Sequence, residues 1–160
     1  MPKDLNSKLD RIQKFINQLK NIQHSRRDQI IIEAQQLNLF RHTNEIVNSI
    51  TQSKLSISDQ DIIIEICVLM HQRYPDFAAK LVESLEKLYE LEKSNEFTKK
   101  RNILRLLSEL YLKGLLSEFK KVFKCLNQMT LIGPENNLEE FQNSLMVLTD
   151  YLKTYGETFF

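Results

Sequence analysis

Apolar residues recur at steps of three and four along nearly the whole chain, and no stretch alternates long enough to form a strand. Leu5, Leu9, Ile12, Ile16 and Leu19 predict a first helix over 4–23. A polar run from His24 to Asp28 leads into a second helix over 29–37, and Ile46, Val47 and Ile50 mark a shorter third over 43–53. Ser58 is the expected N-cap of the fourth helix, 59–74, with Asp59 and Asp61 opposing its dipole. That helix carries Ile62, Ile63, Ile64, Ile66, Val68, Leu69 and Met70, so it lacks a solvent face and belongs at the centre of the fold. Pro75 ends it, because the residue before a proline disfavours the α conformation, and Pro75 also suits the start of the next helix.

Residues 76–93 turn Phe77, Leu81, Leu85, Leu88 and Tyr89 to one side, and Ser94 to Thr98 form a polar loop. Residues 99–113 bury Ile103, Leu104, Leu107, Leu110 and Tyr111 before Gly114 supplies a left-handed cap. Ser117 is the expected cap of a helix over 116–130, with Phe119, Val122, Phe123 and Leu126 inward. After the Gly133-Pro134 break, Leu138, Phe141, Leu145, Leu148 and Leu152 mark the inner face of a last helix over 137–155. Short connections make neighbours antiparallel, so about eight helices pair as four hairpins. The fold class is all-α, a HEAT-like helical-hairpin solenoid, with a compact bundle as the alternative.

Composition adds little to the fold and more to the function. The 160 residues suit one domain spanning 1–160, with three Gly and three Pro. Lys and Arg number 22 against 21 acids, a formal charge of +1, which gives no bulk attraction to nucleic acid or membrane. The apolar runs around Ile62 to Met70 are too short to span a bilayer. Charge is nevertheless segregated: residues 99–124 hold eight basic residues against Glu109 and Glu118, while 81–96 and 135–157 are acidic. Antiparallel pairing about Gly114 would set Arg101, Arg105, Lys120, Lys121 and Lys124 on one face, a candidate surface for an acidic partner or RNA. A solvated helix face is the plainer reading of the same charges. No aromatics interleave there, so stacking of single-stranded RNA is not supported.

Candidate chemistry is sparse. His24, His42 and His71 lie 18 and 29 residues apart without ligand spacing, and Cys67 and Cys125 form no CxxC pattern, so no metal is expected. Both thiols sit in apolar stretches and read as buried and free, which fits a reducing compartment. There is no glycine-rich phosphate loop and no GxSxG elbow. Carboxylate pairs such as Glu86 with Glu90 lie on polar, solvated faces and lack the desolvation that would poise an acid or base near neutral pH. An enzyme, a cofactor and a small-molecule substrate are therefore not expected. The segment containing His71, Arg73, Tyr74, Asp76 and Phe77 reads as a helix–helix corner, with Tyr74 and Phe77 wedged between helices, and direct partner contact as the second reading.

Lys54-Leu55 with Ile57-Ser58-Asp59, the His71-Gln72-Arg73-Tyr74 corner, Asp76-Phe77-Ala78, and Leu104 to Gly114 in the pattern LRxxxELYLxG carry a resemblance. The chain resembles the first of the initiation-factor-four-G middle-type domains in the second up-frameshift factors, regulators of nonsense-mediated mRNA decay. The likeness is strong over 37–125, loose over 5–22 and weak beyond 130. It implies a cytoplasmic or perinuclear, non-catalytic scaffold for mRNA surveillance, with no catalytic residue to carry over. The implied partners are proteins of the decay machinery, an up-frameshift helicase and an exon-junction-linked factor, bound through the full-length protein. The ending at Phe159-Phe160 falls short of the family's domain, so truncation at the C-terminus is expected. The alternatives are a translation-initiation scaffold of the same fold and an RNA-binding helical module.

Overall fold

The computed structural model describes residues 6–54, 56–92, 96–135 and 137–160. The expectations placed on Leu5, Leu55, Ser94 and Asn95 lie outside the described residues. Within them run α1 (Leu9–Leu19), α2 (Arg27–Gln36), α3 (Thr43–Gln52), α4 (Ile57–Arg73), α5 (Phe77–Leu91), α6 (Phe97–Leu112), α7 (Lys120–Thr130) and α8 (Leu138–Phe159). Short 3-10 turns at His24–Arg26 and Phe40–His42 lead into α2 and α3.

The helices form two layers of a solenoid. The odd-numbered helices stack on one another, α1 on α3 and α3 on α5, while α2, α4, α6 and α8 stack in the second layer. Within a layer neighbours run parallel, as cross-helix pairs show. Ala34 accepts a hydrogen bond from Arg73 at 3.0 Å, while Arg27, one end earlier, meets Glu65. Lys121 lies 3.2 Å from Glu86 and Lys124 lies 2.6 Å from Glu90, so α5 and α7 also ascend together. One continuous core runs between the layers, and α4 sits in its middle, with Ile62, Ile63, Ile66, Cys67 and Met70 all buried. A helix with apolar groups all round needs such a position to keep them from water.

Gly114 ends α6 as its sequence indicates. Its φ is +80°, and the turn is a Schellman motif. The Gly114 amide donates to the Tyr111 carbonyl at 3.0 Å and the Leu115 amide to Leu110 at 2.9 Å. Other ends differ from expectation. The first helix starts at Leu9 because Asn6 is extended, its amide bonded to the Gln36 carbonyl and its carbonyl to the Asn38 amide, both at 2.8 Å. Ser56, not Ser58, precedes α4, and its hydroxyl turns to the Asp59 carboxylate instead of capping an amide. Pro75 lies in the link before α5 and not in its first turn. Ser117 is not the cap of α7: Leu115 and Leu116 are buried in the link, and the helix begins only at Lys120, with Phe119 before it. Asn137, unremarked in the sequence, caps α8 by accepting from the amides of Glu139 at 3.0 Å and Glu140 at 3.2 Å.

The largest correction is rotational. Three of the five residues expected on the inner face of α8 point out: Leu138, Leu145 and Leu152 are 59%, 47% and 54% exposed, while Phe141 is half-buried and Leu148 packs against the core. Ser144, Val147, Tyr151 and Tyr155 are buried in their place. Phe123 on α7 and Leu9 on α1 are likewise exposed, while Phe15, Cys125 and Met129 take core positions.

A Cβ at residue 114 would meet no atom, so its replacement tests backbone strain alone. Gly114→Ala should destabilise the chain by about 1–2 kcal/mol, the cost of a left-handed L-residue. Denaturant unfolding measures this, and an unchanged midpoint would show that the α6 end does not depend on glycine.

Candidate functional site

The corner after α4 is built from backbone groups that the α2–α3 link leaves open. Arg73 donates to the Ala34 carbonyl in the last turn of α2 at 3.0 Å, where a cation also offsets the helix dipole. Tyr74 is 2% exposed, and its hydroxyl accepts from the Leu39 amide at 2.9 Å. Phe77 is fully buried at the start of α5, while His71 and Asp76 are exposed and Asp76 makes no side-chain cap. Arg73, Tyr74 and Phe77 thus join two successive hairpins, and His71 and Asp76 stand outside that joint.

Four further polar pins of the same kind were not visible as such in the sequence. The Tyr89 hydroxyl donates to the Cys125 carbonyl at 3.0 Å, tying α5 to α7. Buried Gln60 donates to the Asn102 carbonyl at 2.9 Å, tying α4 to α6. Tyr151 shares a 2.7 Å hydrogen bond with Ser108, and Tyr155 donates to Glu109 at 2.6 Å, tying α8 to α6. The available signal was the fourfold step Val147, Tyr151, Tyr155, Phe159, which competes with the sevenfold leucine step on the same helix.

The basic stripe does not form one surface. Lys121 and Lys124 pair with Glu86 and Glu90 of α5, and Lys120 pairs with Glu118 at 2.8 Å. The hydrogen bond to Lys124 holds the Glu90 carboxyl below its ordinary acidity range, and that to Lys120 does the same for Glu118. Lys99 meets Glu92, and the Lys100 ammonium stands 5.0 Å from the centre of the Tyr89 ring. Arg101 and Arg105 instead face α8, where they line a cleft with Ile57, Leu104, Val147 and Asp150. Lys120, Lys121 and Lys124 thus have their charge compensated by nearby carboxylates, whereas Arg101 and Arg105 lie towards α8.

Chemistry of other kinds finds no footing among the described residues. No three His, Cys, Asp or Glu side chains there are placed to hold a metal ion, and no helix is long and apolar enough to cross a membrane. Burial pushes the Cys67 thiol up to about 12 and the Cys125 thiol up to about 11, so both stay protonated at neutral pH and poor as nucleophiles.

No protein-family model matches the chain. It is 37% identical over 117 residues to "Regulator of nonsense transcripts 2" of Homo sapiens and 36% identical over 117 residues to that of Mus musculus, covering 71% of this chain in each case. It is 29% identical over 158 residues, 93% of this chain, to "Regulator of nonsense transcripts UPF2" of Arabidopsis thaliana. The chain spans 13% of the plant relative and 9% of each mammalian one. Among solved structures it is similar to the first MIF4G domain of the human nonsense mediated decay factor UPF2, with a TM-score of 0.71 and 33% identity. That match covers 79% of this chain and 42% of the solved one.

Two outcomes follow from the site geometry. Tyr74→Phe removes the acceptor of a buried amide and should cost about 1–3 kcal/mol in unfolding experiments; a neutral result would mean that water replaces the hydroxyl at Leu39. Neither thiol should react with an aromatic disulfide reagent at neutral pH until denaturant is added. Early labelling of Cys125 alone would show that α7 opens before the rest.

Proposed function

Since the chain belongs to the family of the first MIF4G domains of the nonsense-transcript regulators, we propose that it is a non-catalytic scaffold serving nonsense-mediated mRNA decay. Residues 1–160 act in this reading as one scaffold unit. The solenoid offers long helical surfaces in a fixed order. The observation that carries the reading is the corner. The segment on which the family resemblance rests contains Arg73, Tyr74 and Phe77, and these are the residues that join successive hairpins. Rigidity of that joint is what a scaffold requires, because a partner surface spread over several hairpins survives only if their offset is fixed.

The partners in this reading are proteins of the decay machinery, an up-frameshift helicase and an exon-junction-linked factor among them, engaged through the full-length protein in the cytoplasm, with a perinuclear position as the narrower alternative. RNA contact through the basic stripe is disfavoured, because Lys120, Lys121 and Lys124 are paired with carboxylates on their own chain. A translation-initiation scaffold would share the fold and differ in company.

Affinity purification of the protein carrying this chain from nuclease-treated extract, followed by mass spectrometry, separates the two. Recovery of the surveillance helicase and decay factors is the expected result. Recovery of cap-binding and initiation factors without decay factors would keep the fold and overturn the function.

A further inference from the structure

A guanidinium withdrawn from water ordinarily has a partner, since an unpaired buried polar group costs more than a hydrogen bond returns. The chain follows this rule at Arg11, which pairs with Glu33 at 2.8 Å, and at Arg73, bonded to Ala34. It breaks the rule at Arg101 and Arg105. Both are half-buried on α6, one turn apart, and neither makes a hydrogen bond or ion pair to another described residue. The Arg101 Nε is buried and has no hydrogen-bond partner.

These two arginines line the cleft between the start of α4, the first half of α6 and the second half of α8. Its apolar walls come from Ile57, Leu104 and Val147, and its volume is about 190 Å³. Pockets for cofactors and drug-sized ligands run from roughly 300 to 1,000 Å³, so this one holds an anchoring side chain and little more. Asp150 supplies the one carboxylate among the lining residues and pairs with neither arginine. The Tyr155 hydroxyl, at the edge, is already committed to Glu109. Arg101 and Arg105 therefore set two guanidinium groups in the lining beside apolar residues, and a guanidinium fork is the group that takes a carboxylate bidentately.

We propose that this cleft anchors a short acidic and apolar segment of a protein partner. The segment's carboxylate is held by Arg101 and Arg105, and its adjoining apolar side chain rests on Leu104 and Val147. Thr154 at the rim accepts a hydrogen bond from the segment's backbone, and the Asp150 carboxylate opposes the segment's acidic group. The lining disfavours a nucleic-acid backbone. A polyanion needs several unpaired cations in a track, whereas the lysines of α7 are paired with glutamates and Asp150 would stand against a second phosphate. The inference rests on the scaffold reading, because it names a place where a partner protein would be held.

Selection of a random peptide library, displayed on phage, against the 160-residue chain tests it. Enriched peptides should carry Asp or Glu beside a branched or aromatic residue. Fluorescence anisotropy with the best such peptide should show a loss of about tenfold or more in the Arg101→Gln/Arg105→Gln double variant, the effect of losing a charge-assisted pair. Asp150→Asn should tighten the same peptide, and Arg101→Lys/Arg105→Lys should weaken it while keeping the charge. Circular dichroism checks that each variant folds, and should the Gln pair unfold, the Asn and Lys variants decide by their opposite signs. Enrichment without acidic residues, or peptides whose binding the variants leave unchanged, would overturn the proposal. So would retention of a labelled oligouridylate that the same substitutions abolish, which would make the cleft a phosphate site. Recovery of decay factors by the whole protein is read separately, so failure of the cleft and failure of the scaffold reading leave different signatures.

Discussion

A tyrosine in an apolar core gains from burying its ring and loses about 1–3 kcal/mol if its hydroxyl is left unpaired. That asymmetry sets the offset between successive hairpins here. Tyr74 reaches Leu39, Tyr89 reaches Cys125, Tyr151 reaches Ser108 and Tyr155 reaches Glu109. Each bond joins two helices of different hairpins or the link between them. Apolar packing would tolerate a slide or rotation of one helix along another at modest cost. A hydroxyl that must meet one carbonyl, amide or carboxylate does not tolerate it. The core drives the helices together, and these hydroxyls decide where they stop.

This division of labour explains what could be read from residues alone. Helix existence depends on local periodicity and on breakers such as Pro75, Gly114 and Gly133-Pro134, all of which are written in the sequence. Even the cap at Gly114 was legible, since glycine is the residue that enters a left-handed turn freely. The rotation of α8 was not. Its leucines at 138, 145 and 152 and its series Val147, Tyr151, Tyr155 are both apolar stripes, and hydrophobicity alone favours the leucines. The tyrosines win because α6 offers Ser108 and Glu109 to their hydroxyls, a fact about a partner surface 43 to 46 residues away. Capping failed for a similar reason. Ser58 and Ser117 carry good capping side chains, but buried Leu115 and Leu116 and the Ser56–Asp59 contact place the helix starts elsewhere.

The charges tell the same story at the surface. Acidic and basic blocks adjacent in sequence looked like a docking stripe with acidic flanks. In three dimensions α5 and α7 lie side by side, so the flank neutralises the stripe, Glu86 against Lys121 and Glu90 against Lys124. A sequence gives the sign of each block but not which blocks become neighbours. Exposed pairs of this sort do little for stability; their consequence is that they neutralise lysines which the basic block along the sequence presents as one surface.

What remains after that cancellation is small and localised. The arginines of α6 could have been paired as the lysines of α7 are, since Asp150 lines the same cleft, and they are not. A long-range electrostatic surface would steer many anions with little discrimination. Two half-buried guanidiniums beside an apolar wall act only at contact, where fork geometry and the fit of a neighbouring side chain select among acids. The lysines of α7 are thus compensated by carboxylates of their own chain, while the two arginines of this cleft are left without a carboxylate partner among the described residues. The same tyrosines that fix α8 on α6 also fix the width of that cleft, because Tyr151 and Tyr155 stand on the wall opposite the arginines.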